Sequence, residues 1–147
     1  MFKFLRSRKG YVMGYVTIIV ATVAIPMLIL SVEIVRAMNV QINLGAAVDA
    51  ACEAASQAVD VPFFIDNGVL QIVQGTAASY AQREFDSTVL YHNIQSYSPA
   101  LTGLSYPSAA VVQCAASATM QWLLPGIPGL TLHANAIAQA KYSLGPT

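Results

Sequence analysis

Between Tyr11 and Val32 the chain carries no charged side chain, and that run limits its possible folds more than any other feature of its 147 residues. In helical form twenty-two residues reach roughly 33 Å at about 1.5 Å per residue, close to the hydrocarbon thickness of a bilayer. Three structures absorb such a run: a cleaved export signal, a membrane span, or the core helix of a soluble domain. A secretory signal has a shorter apolar region, about 7–15 residues, followed by small residues at a cleavage site. Here the run leads directly into Glu33, Ile34, Val35 and Arg36. The expectation is a transmembrane helix over 11–32.

Charge placement gives the span a direction. Lys3, Arg6, Arg8 and Lys9 precede it, whereas Arg36, Arg83 and Lys141 follow it among seven acidic residues, so a formal balance of zero divides into +4 before the run and −4 after it. Basic residues flanking a span stay on the cytoplasmic side. Residues 1–10 are therefore expected to be a basic cytoplasmic segment, and 33–147 an exported head on a single-pass protein of the plasma (inner) membrane. Membrane lipid is then a partner, and the basic flank can touch anionic headgroups, although its main reading is a topology signal. Nucleic acid is not expected, because an acidic head repels phosphate. Gly14 and Pro26 weaken a helix in water but are frequent in membrane helices, and Pro26 predicts a modest kink near Thr22 to Pro26. Gly14, Thr17 and Ala21, with Ala24, are small positions suited to packing against neighbouring spans.

The helical pattern continues past the span. Val40, Leu44, Ala47, Ala51, Ala54 and Ala58 recur at three- and four-residue spacing, opposite a polar stripe of Asn39, Asn43, Asp49, Glu53 and Gln57. One helix of about 45 to 50 residues is predicted, ending at Asp60 and Val61 before Pro62. "VPFFIDNG" reads as a short connection in which Asp66 or Asn67 caps a second helix from about Val69 to Tyr91, and "NIQSYSPALTG" reads as a loop. Beyond it the period changes to two. Val112, Cys114, Ala116, Ala118, Met120 and Trp122 form one alternating set, and Leu132, Ala134, Ala136, Ala138, Ala140 and Tyr142 another. The two Pro-Gly pairs of "LLPGIPGL" predict a wide loop joining these strands into a C-terminal antiparallel hairpin. The fold class is α+β: a long N-terminal transmembrane helix running into a small exported head with a second helix and a hairpin, its core thin because alanine fills it.

Chemistry-bearing residues are sparse. Cys52 on the long helix and Cys114 on the first strand can meet if the hairpin packs on that helix. They are then either a disulfide closing a loop of roughly sixty residues, worth about 3–4 kcal/mol by chain entropy, or two buried thiols acting as small apolar groups. His92 and His133 fit no metal-ligand spacing, the glycines at 103, 126 and 129 no phosphate loop, and Asp49 with Glu53 reads as a solvated stripe with no base or nucleophile beside it. No catalytic, cofactor or metal site is expected, so the chain is not read as an enzyme. The apolar tip Trp122, Leu123, Leu124 and Ile127 is either a contact for a partner or lipid, or a self-packed turn.

Three segments resemble the TadE/TadG-like family, membrane-anchored pilin-like components of tight-adherence (Flp) pilus assembly systems. "RSRKG" precedes the apolar span; "VEIVRAMNVQINLGAAVDAACEAAS" is similar to that family's acidic residue, aliphatic-basic pair and Ala-Asp-Ala-Ala run; "AASATMQWLLPGIPGLTLHANAIAQA" is similar to its strand, Leu-Pro-Gly-like turn and small-residue strand. The resemblance implies a pilin-like fold and a non-catalytic structural subunit or assembly factor of such a pilus or a related secretion apparatus. It also implies other membrane or pilus-assembly proteins as partners, in a hetero- or homo-oligomer. Pilin-like precursors are often cut after a glycine like Gly10, and many have glutamate five residues beyond it, where this chain has Tyr15. Gly10 is therefore expected to stay uncut. The rival reading is an accessory single-span subunit of a membrane enzyme or transport complex.

Overall fold

The computed structural model describes residues 8–123 and 126–141, with side chains from Tyr11 onward. Its organising element is α1, Arg8–Ser56, a 49-residue helix that stays helical through Pro26, as the uninterrupted period required. Among the described residues nothing packs on its first half. Tyr11, Met13, Ile18 and Leu28 are each about two-thirds exposed or more, so this part is not the core helix of a soluble domain. The three Ser and Thr hydroxyls of the run bond backwards within the helix, Thr17 to the Met13 carbonyl (2.9 Å), Thr22 to Ile18 (2.7 Å) and Ser31 to Met27 (2.9 Å). No hydroxyl donor of Ser or Thr is thus left bare in an apolar surround. Among the described residues α1 is the one helix long and apolar enough to cross a membrane.

Its second half is the spine of the head. Val40, Leu44, Ala47, Val48, Ala51, Cys52, Ala55 and Ala58 are all buried, with α3 (Gln74–Tyr91) on one side and an antiparallel sheet on the other. From α3 come Ala77, Ala81, Phe85 and Val89. The sheet has the order β1 (Ala100–Ser108), β2 (Val111–Met120), β3 (Leu130–Gln139). β2, at its centre, buries Val112, Cys114, Ala116, Ala118 and Met120 against the helix, and β3 adds Ala134 and Ala136. These are the alternate positions expected to face inward, and Cys114 pairs with Ala136 and Ala116 with Ala134 across the hairpin. Eleven of the twenty-two buried apolar residues described are alanine, so the elements approach closely and the large-side-chain contribution falls to a few residues such as Leu44, Phe85 and Met120. Tyr142 lies outside the described residues.

Three expectations are corrected. Pro62 does not simply end the long helix: α1 stops at Ser56, and Pro62 stands in the first turn of a short helix α2, Val61–Asn67, where its missing N–H costs nothing. Asp60 caps α2 by accepting from the Phe63 N–H (3.0 Å), and Gly68 closes it with φ +68°. Asp66 and Asn67 thus lie inside or at the end of a helix, not at the start of the next. α3 begins at Gln74 behind Val73, whose apolar side chain caps nothing; before it Ile72 and Val73 donate their N–H groups to the Ala109 and Ala58 carbonyls (2.9 and 2.8 Å), which delays the helix start. The hairpin is also joined by a third strand, β1, which takes in Ala100 to Gly103 from the end of the expected "NIQSYSPALTG" loop. Its register slips between Leu101 and Gly103 and again between Ser105 and Ser108, and Gly103 and Pro107 are tolerated because this is an edge strand.

Candidate functional site

The end of the apolar run is where the head is tied to α1. Glu33, the first charged residue after the run, is fully buried. Its Oε1 accepts the Leu123 N–H (3.3 Å) and faces Arg36 Nη1 at 3.5 Å, while Oε2 has no partner among the described residues. A carboxylate is expensive to bury unless hydrogen-bonded and paired, so this arrangement specifies which backbone group sits against it. Arg36 in turn donates from Nε to the Tyr97 hydroxyl (3.0 Å), and its guanidinium carbon lies 5.2 Å from the centre of that ring. The Tyr97 hydrogen bond foremost, with the charge of Glu33 contributing less, pushes the guanidinium above its already high value. Residues 33, 36, 97 and 123 therefore form a polar clasp at one level of the helix.

Further contacts give the direction of the strands. Cys52 Sγ lies 3.4 Å from the Val112 carbonyl and 3.5 Å from that of Ala136, and Gln41 Nε2 donates to the His133 carbonyl at 2.8 Å. β2 thus runs antiparallel to α1, from the level of Cys52 down to that of Glu33. The described start of the β2–β3 loop lies at the Glu33 end of the sheet, next to the apolar half of α1. On it Trp122 is half-buried, whereas Leu123 and Ile127 are 65% and 41% exposed; Leu124 lies outside the described residues. Beside the clasp, Ala37, Met38, Ile42 and Leu132 line an open apolar groove of about 440 Å³.

Cys52 and Cys114 do meet. Both are free thiols, buried, with Cys114 within hydrogen-bond reach of Cys52. Burial foremost, then its neighbour thiol, pushes Cys114 far above the usual thiol range, so its thiolate, the nucleophilic form, is scarce at ordinary pH. Among the described residues Thr17 is exposed and Gly14 and Ala21 are partly exposed, and a Cβ added at Gly14 would find open space. His133 is exposed on the outer face of the sheet and His92 follows the last turn of α3 against Tyr91. Asp49 and Glu53 edge a polar groove of about 550 Å³ with Lys141 and Gln139, and among the described residues no three His, Cys, Asp or Glu side chains converge as metal ligands.

The buried role of Glu33 was not read from sequence. Its signal was there in outline: a lone acidic residue directly after a long uncharged run, three positions before an arginine, the spacing of a same-face helical pair. Compared with family models, with curated proteins and with solved structures, the chain matches none.

Proposed function

We propose that this chain is a non-catalytic, single-pass membrane protein that works as a pilin-like structural subunit or assembly factor of a tight-adherence (Flp) pilus or related secretion apparatus. Its N-terminus lies in the cytoplasm and its head is exported across the plasma (inner) membrane. The observation that carries the reading is the bare first half of α1: about twenty apolar residues that contact nothing in the head yet continue into it without a break. Such a surface requires lipid or the spans of other proteins around it. The basic flank before it supplies the orientation. The resemblance of three segments to the TadE/TadG-like family supplies the apparatus.

Purification of the protein from its native membrane, followed by identification of what accompanies it, tests this. Pilus or secretion components in fixed ratio are expected. A fixed set of enzyme or transporter subunits would instead favour the accessory-subunit reading. Orientation is checked separately: protease applied to the exported face should digest the part after about residue 60 and spare the N-terminus, and protection of the His133 region there would overturn it.

A further inference from the structure

We infer that the β2–β3 loop is a second membrane contact, with Trp122, Leu123 and Ile127 seated in the interfacial layer of the bilayer that α1 crosses. The inference rests on the membrane reading of α1 and adds a second point of attachment to it. If residues 11–32 fill the hydrocarbon, the next residue, Glu33, lies among the headgroups. The hydrogen bond from the Leu123 N–H to Glu33 Oε1 holds the Leu123 backbone close to that height.

What stands there suits the interface. Trp122 is the one tryptophan of the chain, and tryptophan concentrates at headgroup level because its ring is apolar and its N–H is not. Leu123, beside it in the chain, and Ile127, on the same loop, expose apolar side chains, and among the described residues 121–129 there is no acidic or basic side chain to oppose entry. The buried carboxylate has a role in this arrangement. By accepting the Leu123 N–H it satisfies a backbone donor that would otherwise be carried unpaired into a region poor in water. Lipid is favoured over a protein occupant because the bilayer is already at this level, continuous with the surface of α1.

The fold provides its own control. Ile137 is as exposed as Leu123, 69% against 65%, but its neighbour Ala136 bonds to Cys52, nineteen positions further along α1 than Glu33 and so about 28 Å away at 1.5 Å per residue. The full chain is reconstituted in phosphatidylcholine/phosphatidylglycerol vesicles containing lipid brominated near the headgroup end of its acyl chains. Trp122 emission is compared with that of Leu123→Trp and Ile137→Trp, each in a Trp122→Phe background. Bromolipid should quench Trp122 and the tryptophan at 123 severalfold more than the one at 137, and aqueous iodide should show the reverse order. Glu33→Ala should lower the quenching at 122 and 123 while leaving the protein in the vesicles. Equal quenching at 123 and 137, or a residue at 123 reached by neither quencher because protein covers it, would overturn the inference while the span stands. A chain that fails to float with the vesicles would overturn the membrane reading itself.

Discussion

Replacing Ala136 with phenylalanine asks whether the head is held by the close approach of small side chains. Ala136 is 9% exposed and pairs across the hairpin with Cys114, and its carbonyl lies 3.5 Å from Cys52 Sγ. A six-carbon ring added to its Cβ must either push β3 away from α1 or turn apolar surface into the polar groove of about 550 Å³ that Ala136 lines with Cys52 and Asp49. Overpacking of this kind costs about 1–3 kcal/mol, a large part of the about 5–15 kcal/mol that holds a typical domain. The corresponding rise in the open population is about 5- to 150-fold. Protease digestion of the membrane-embedded protein, at protease levels where cleavage is slow compared with reclosing, reads that population directly. Asn135→Phe is the matched control, because Asn135 pairs with Ala115 and is exposed on the opposite face of the sheet; its digestion rate should stay close to wild type. Equal rates for Ala136→Phe and wild type, in the same vesicles, would refute both the register and the packing argument.

Phe85→Ala should lower the stability of the head by about 3–5 kcal/mol, since Phe85 is the largest fully buried side chain and leaves a cavity among alanines; Tyr80→Ala, half-exposed on the same helix, should shift the urea midpoint far less. The thiols should resist iodoacetamide at neutral pH in the folded protein; after denaturation without reductant, labelling of both would match the free pair seen here, and a requirement for prior reduction would reveal a bridge. Cys114 supplies a pH test. Its thiol is raised by burial above the usual value of 9.0, so its contribution to stability is complete below pH 9 and declines as pH rises, by up to about 1.4 kcal/mol per unit. The urea midpoint of wild type should therefore fall more steeply between pH 8 and 10.5 than that of Cys114→Ala, and parallel slopes would count against it.

How far the residues announced this fold depends on whether one local pattern dominated. The charge gap and the unbroken three-four period made α1 legible to within a few residues, and ten-residue alternation did the same for β2 and β3. The same alternation placed Cys114 on the inward face of its strand, but its meeting with Cys52 depended on the hairpin packing on α1, which no local pattern states. β1 was obscured by Gly103, Pro107 and two register slips that destroy its alternation. α2 was missed because proline is both a helix stop and a good first-turn residue, and only the Asp60 cap distinguishes the two uses. The clasp was the least legible, for Glu33 and Leu123 lie 90 positions apart and no local spacing relates them.

Because α1 passes from apolar run to head without interruption, the two move as one lever. From Glu33 to Ser56 the arm measures about 35 Å at 1.5 Å per residue. Where α1 crosses a bilayer, a change in tilt of about 20°, within the range by which spans adjust to bilayer thickness, carries the far end of the head sideways by about 12 Å. The β2–β3 loop stands on one side of that lever only, close to its fulcrum. If the loop meets lipid as inferred above, leaning towards it presses it further in and leaning away draws it out, so the head would be braced in one direction and free in the other. Bilayer thickness, a scalar, would then be converted into a directed displacement of the surface the head offers to its neighbours.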